Sequence, residues 1–391
     1  MSMKFLRPFL LVSLVSLIVG FIGAVSGLVF SWRTGEISDI REVSARADAK
    51  PLLYNGFSWG VEAYHTARYL DVRPAMVAYG SSRSMQFRSS FFTTRFYNFG
   101  GISGTEEKLS ELTSVLHKAH KPETILYVAD FWRYANDWLP GSVAARQHGI
   151  SREMSVMSVP FQLLRQGRLS VPDIVSVVTG RTPSEFLGLS LVGVNAVLNR
   201  KGFGPDGSNY DFSLTGSSRE KQFLESYSTM KADLAGNSGI FHTGFSVAGQ
   251  RIRALSDMKR RLADEGIRLV VISPPVSPRL YDLLSSHPDW SQWLEDWRTA
   301  MREQIPDFQD FLDPASLSSP DCEFIDAWHG GDVTYARLML ALSRTWPDML
   351  KVRPDMPAFI ARHAGEVIIA EDPVGRAIGH SPAPVRSCWS D

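Results

Sequence analysis

The chain has 391 residues, 44% of them hydrophobic and 21% charged, and its 41 Lys and Arg balance 41 Asp and Glu. That is ample apolar material for one large domain, and balanced charge without a basic stripe argues against nucleic acid as a partner. Two cysteines, Cys322 and Cys388, are too few for a disulfide framework, and nine scattered histidines form no ligand set, so no metal and no cofactor is expected.

From Pro8 through Trp32 the sequence carries no charge. At about 1.5 Å per residue this stretch is long enough to cross a hydrocarbon core of about 30 Å, so residues 8–32 read as a transmembrane anchor. Lys4 and Arg7 precede it. The positive-inside tendency then leaves residues 1–7 in the cytoplasm and the bulk of the chain outside the inner membrane, in the periplasm or beyond. A cleaved signal peptide ending near Ala24-Val25-Ser26 is the competing reading. Gly23 and Gly27 have the spacing for close packing against another membrane helix.

Residues 33–70 read as a stalk followed by an initial helix from Gly56 to Tyr69. An apolar strand over 74–80 leads into Gly80-Ser81-Ser82-Arg83, and a second apolar segment, Phe96-Tyr97, leads into Asn98-Phe99-Gly100-Gly101. Glu106 to His120 places Leu109, Leu112, Val115 and Leu116 at helical spacing, and a strand over 124–130 follows. This β-α-β succession requires a parallel sheet with flanking helices.

The pattern then breaks over about 134–245, read as a mostly helical insertion that either caps the sheet and builds a groove or is an ordinary excursion. Gly202-Phe203-Gly204-Pro205-Asp206-Gly207-Ser208 within it carries a tight-turn signal. The main pattern resumes with a helix from Val247 to Glu265 and a strand over 267–272 that Pro274-Pro275 stops. A helix from Trp290 to Gln304, a short strand around Phe308 to Leu312 and a last helix from Val333 to Trp346 complete about five strands. Residues 351–391 read as a loosely attached tail, with a possible edge strand over Glu366 to Ala370.

Two short motifs carry chemistry. A strand that ends in Gly and a short Ser turns sharply and projects a hydroxyl, here Ser82, from the carboxyl end of a parallel sheet. Asp326-Ala327-Trp328-His329 precedes the last helix. An Asp three residues before a His can fold back on the imidazole, fix its tautomer and stabilise the imidazolium formed when it takes the serine proton. Glu62-Ala63-Tyr64-His65 nearly repeats this spacing and is assigned no role.

In these motifs the sequence resembles the SGNH (GDSL-type) hydrolase superfamily, in its membrane-anchored branch whose first block reads Gly-Ser-Ser. The resemblance covers roughly residues 70–350. It implies a flavodoxin-like α/β three-layer sandwich over 71–350, with Ser82 as nucleophile, His329 as base and Asp326 as its orienting partner. The family's second block maps onto Asn98-Phe99-Gly100-Gly101. Its third block, Gly-x-Asn-Asp, is missing, because the strand over 124–130 runs into Asp130-Phe131-Trp132-Arg133. The implied oxyanion hole therefore rests on the N–H groups of Ser82 and of Gly100 or Gly101, helped by Asn136. Losing one such donor costs about 3 kcal/mol of transition-state stabilisation.

The aromatic residues Trp132, Tyr134, Trp138 and Trp328 near the strand ends can stack on sugar rings or pack a lid. Arg83 can hold an anionic group, or pair with Asp130. The resemblance implies acyl transfer or ester hydrolysis on a cell-envelope or exported polysaccharide, with an acyl donor and a glycan acceptor. A membrane-bound O-acyltransferase or polysaccharide synthase is the implied partner. The alternative is a weak or inactive glycan-binding or scaffolding subunit.

Overall fold

The computed structural model describes residues 3–102, 104–138, 156–211, 219–242, 244–369, 371 and 374–376. They form two compact units, one of Met1–Tyr64 and His148–Gly202 and the other of His65–Gln147 and Phe203–Asp391. Residues 33–64 are thus part of a folded unit and not a stalk. The stretch read as one insertion is divided, 148–202 belonging to the smaller unit and 203–245 to the larger.

In the smaller unit a single helix runs unbroken from Met3 to Arg33, and its Leu10–Arg33 portion is long and apolar enough to span a membrane. Its last turns leave the solvent-facing pattern. Phe30 is fully buried among Val159, Leu163, Ile174, Val177 and Val194. Just beyond, the buried Glu36 accepts hydrogen bonds from the N–H groups of Phe57, Ser58 and Val194, 2.8–3.1 Å away, which gives a carboxylate away from water the partners it requires. Leu52–Tyr54 pairs in parallel with Leu189–Val192, onto which Glu185–Phe186 folds antiparallel.

The larger unit is built on five parallel strands: β1 (Met76–Gly80), β2 (Phe96–Gly100), β3 (Thr124–Val128), β4 (Arg268–Ser273) and β5 (Gln309–Asp310). Their order across the sheet is 2-1-3-4-5. Every residue of β1, β2 and β3 is buried, as a parallel sheet covered on both faces requires. Period-two alternation divides the strands between two cores. Val77, Tyr79, Ile125, Tyr127, Leu269 and Val271 face helices Glu106–Leu116, Gly249–Asp264 and Pro288–Gln304. Met76, Ala78, Leu126, Val128, Val270 and Ile272 face helices Asp332–Thr345 and Met356–His363.

The segment read as a loose tail contributes to the second core, where Met356 and Phe359 are fully buried. Residues 366–369 form no strand; the Ile369 N–H donates to Asp332 instead. Cys322 is disulfide-bonded, and the chain's other cysteine, Cys388, lies outside the described residues. Gly204 to Ser208 makes the expected turn, closed by hydrogen bonds between Gly204 and Ser208 and between Gly207 and Gly204.

Candidate active site

β1 ends at Gly80, and Ser82–Ser84 turn at once into a 3₁₀ helix whose cap, Ser81, accepts from the Arg83 N–H. Ser81, Arg83 and Ser84 are buried and Ser82 alone among them is exposed. The turn packs tightly on β2: a Cβ at Gly100 would fall 2.5 Å from Ser84 Oγ, so that position needs glycine. Asn98, fully buried, holds the turn from below. Its side-chain amide donates to the carbonyls of Ser84 (2.8 Å) and Phe87 (3.0 Å).

His329 reaches Ser82 from the opposite motif. The loop between Phe324 and Gly330 closes on itself through a β-bridge and an Ile325 N–H to His329 carbonyl bond of 2.8 Å. Within it Asp326 accepts from the N–H groups of Trp328 and His329, both at 2.8 Å, and faces His329 Nδ1 at 2.9 Å. His329 Nε2 lies 2.8 Å from Ser82 Oγ. Burial works to raise the Asp326 pKa, but the neighbouring imidazole and these hydrogen bonds outweigh it and hold the carboxyl below its ordinary value. Ser82 and the pair Asp326 and His329, with Ser82 and His329 247 positions apart in the sequence, therefore form one hydrogen-bonded chain.

The hydroxyl opens into a groove of about 460 Å³. Trp132, Trp138 and Trp328 line it together with Arg133, Lys108 and Met85, and Ser226, Met230 and Ile240 from the second part of the insertion form its remaining wall. Tyr134 does not reach the groove; it is buried and donates to Glu106 at 2.7 Å.

Three of the groups expected to form an oxyanion hole are bonded elsewhere. The Gly100 N–H donates to Asn98 Oδ1 at 2.7 Å, and the Gly101 N–H is shared between the carbonyls of Gly80 and Ser81, each 3.0 Å away. Both are committed to holding the turn. Asn136 is exposed, donates to Ser246 Oγ at 2.9 Å and does not line the groove. The Ser82 N–H stands at the first residue of a helical turn, where no intrahelical acceptor exists, so of the expected set it is the one that these hydrogen bonds do not engage.

Arg83 and Asp130 are also displaced from substrate binding. Both side chains are fully buried and lie 3.4 Å apart, and Arg83 also donates to the Pro274 carbonyl beyond β4. The guanidinium stands 5.1 Å from the Trp328 ring centre and 5.6 Å from that of Trp132, so its cation–π contacts fix the floor of the groove from behind. Burial lowers the Arg83 pKa, against the pull of Asp130. The cations that line the groove are Lys108 and Arg133, the latter three residues after Asp130 and 3.5 Å from it, with its guanidinium packed on Gly104. Of the two roles that the sequence leaves to Arg83, holding an anion or pairing with Asp130, the structure has the pair.

The larger unit is thus an α/β domain with an exposed serine at the carboxyl end of its first strand, bonded to a His-Asp pair. The chain matches no protein-family model and no curated protein sequence.

Proposed function

We propose that the chain is a membrane-anchored, extracytoplasmic serine acyltransferase or esterase of the SGNH type, acting on a cell-envelope or exported polysaccharide. The observation that carries this reading is the 2.8 Å approach of His329 Nε2 to the exposed Ser82 Oγ, with Asp326 2.9 Å from the far ring nitrogen. The strand order 2-1-3-4-5 supports the flavodoxin-like sandwich, with Ser82 beside the point where the order reverses.

His329 takes the Ser82 proton as Oγ bonds to the acyl carbon; the proton then passes to the departing oxygen, leaving acyl-Ser82. A water or sugar hydroxyl next gives its proton to His329 and attacks, releasing acid or ester and restoring the serine. Three tryptophans along one groove suit a sugar acceptor through apolar contact with C–H faces. Lys4 and Arg7 ahead of the apolar helix support an outside position for the site. A membrane-bound O-acyltransferase or polysaccharide synthase is the proposed partner.

Full-length protein in detergent, incubated with an activated acetyl ester, should gain the mass of one acetyl group, and Ser82→Ala should not. Asp326→Asn should retain the fold and lose most turnover through the wrong His tautomer. An acylated Ser82→Ala protein would end the proposal. The committed Gly100 and Gly101 amides favour a second reading, a glycan-binding or scaffolding subunit with feeble chemistry. Glycan binding by a protein that a fluorophosphonate fails to label would select it.

A further inference from the structure

We infer that the short helices Val159–Arg165 and Val171–Val178 of the smaller unit sit in the lipid beside the N-terminal helix and form a second membrane contact. This rests on the reading that Leu10–Arg33 spans the bilayer. Gly23 and Gly27, whose spacing suggested another membrane helix, are occupied from within the chain. A Cβ at Gly27 would lie 2.1 Å from the Met157 carbonyl oxygen and 3.1 Å from the Phe161 ring, and one at Gly23 would lie 3.9 Å from that ring. Residues 157–161 therefore press on bare helix backbone.

Depth follows from helical rise. At about 1.5 Å per residue, Gly27 lies about 9 Å and Gly23 about 15 Å below Arg33, and half a hydrocarbon core is about 15 Å thick. If Trp32 and Arg33 mark the outer interface, the Phe161 ring is held within the hydrocarbon. The exposure pattern agrees. Met157 (43%), Phe161 (41%), Val171 (58%) and Val175 (46%) are exposed, while Ile174 and Val177 face Phe30. These four extend the apolar surface that Val25 and Leu28 present on the long helix.

Apart from Arg165, exposed at the carboxyl end of its helix, the polar groups of the pair are drawn elsewhere. Ser170 and Asp173 satisfy each other in a capping box, Gln162 donates to Ser158, and Ser31 Oγ donates to the Val156 carbonyl. Asp173 and Arg168 line a small cavity with Asn195 and Asn199. No backbone group of the two helices' interiors is left to face lipid, which is the condition for entering it.

Nitroxides placed singly at Leu17, Phe161, Val171, Val175 and Ser226 of the full chain, in phosphatidylcholine and phosphatidylglycerol nanodiscs, read depth. Collision with oxygen, which concentrates in lipid, is compared with collision with a water-soluble nickel chelate. The unsubstituted protein, whose Cys322 is disulfide-bonded, supplies the labelling blank. Oxygen should exceed nickel several-fold at Phe161, Val171 and Val175, as at Leu17, with the reverse at Ser226. Val171 touches neither glycine, so it repeats the test without disturbing the packing at Phe161. A lipid-like Leu17 with water-like Phe161, Val171 and Val175 overturns this inference alone; a water-like Leu17 overturns the spanning helix and the inference with it.

Discussion

Arg88 Nε donates to Asp332 Oδ1 at 2.9 Å, and the two residues stand six and three positions beyond Ser82 and His329. Both side chains are almost fully buried. Arg88 also donates to the Asn209 carbonyl and to Gln86, each at 2.7 Å, while the second Asp332 oxygen accepts from the Ile369 N–H at 3.0 Å. Asp332 opens the helix whose Tyr335 hydroxyl donates to the Arg83 carbonyl. The pair thus fastens the segment bearing the serine to the segment bearing the histidine. Breaking a buried pair from one side costs about 3–5 kcal/mol, because the remaining charge stays unpaired. Asp332→Leu should lower the melting temperature strongly and slow Ser82 acylation, and Arg88→Met with Asp332→Leu should recover much of the stability. Equal melting temperatures for Asp332→Leu and the unsubstituted protein would show that the pair fastens nothing.

Asn98 does a related task within one segment. Its three hydrogen bonds, two given to the carbonyls of Ser84 and Phe87 and one accepted from Gly100, fix the turn that exposes Ser82. Asn98→Ala strands buried backbone groups at about 1–3 kcal/mol of desolvation cost. We expect a loss of that order in urea unfolding, with slower acylation but unchanged affinity for a glycan ligand, since Asn98 does not line the groove. An acylation rate equal to that of the unsubstituted protein would make Asn98 a purely structural residue.

Arg83 neighbours the nucleophile in sequence yet should not govern substrate charge. Its ion partner and both stacking tryptophans are buried with it. Arg83→Gln takes away the fully buried partner of Asp130 and leaves it only the half-buried Arg133, 3.5 Å away, so its effect should appear as lost stability. Arg133→Gln should spare stability by comparison and weaken binding of an anionic sugar. Measuring both variants against a neutral and an anionic oligosaccharide separates the roles; charge selectivity that disappears with Arg83 and survives loss of Arg133 would reverse this assignment.

The parts of the fold that were legible in the sequence share one property: each is written in consecutive residues. Apolar runs such as Ile125-Leu126-Tyr127-Val128 announce buried strands, and Leu109, Leu112 and Leu116 announce one helix face. The triad was legible because Gly-Ser-Ser after a strand and Asp-x-x-His before a helix are local signals. What escaped depends on pairing across long separations. The strand Leu52–Tyr54 finds its partner at Leu189–Val192, so nothing near residue 52 distinguishes a folded unit from a stalk. The Gly101 amide is engaged by the carbonyls of Gly80 and Ser81, 21 and 20 residues earlier, which no local pattern announces. Met356–His363 was obscured by the prolines around it, and its buried face exists only against the helix Asp332–Thr345.

His65, which stands three residues after Glu62 much as His329 stands after Asp326, has a consequence for pH. It is fully buried, its Nδ1 is 3.0 Å from the Tyr97 hydroxyl, and the rings of Phe99 and Phe203 lie against it at 5.1 and 4.7 Å. Burial pulls its pKa from 6.5 down to about 3, only partly opposed by a backbone hydrogen bond at Asn98. Between those two values the unfolded chain binds a proton that the folded chain refuses, so stability is full above pH 6.5 and falls as the pH drops towards 3. The slope from this one group reaches about 1.4 kcal/mol per pH unit, or about 2 kcal/mol between pH 7 and 5. His65→Phe removes the titration. It also removes the bond between His65 and the Tyr97 hydroxyl, but that loss is the same at both pH values and cancels in the difference. Urea unfolding at pH 7 and pH 5 should therefore show the unsubstituted protein losing about 2 kcal/mol more than His65→Phe. Equal losses in the two proteins would mean that His65 accepts a proton in the folded state.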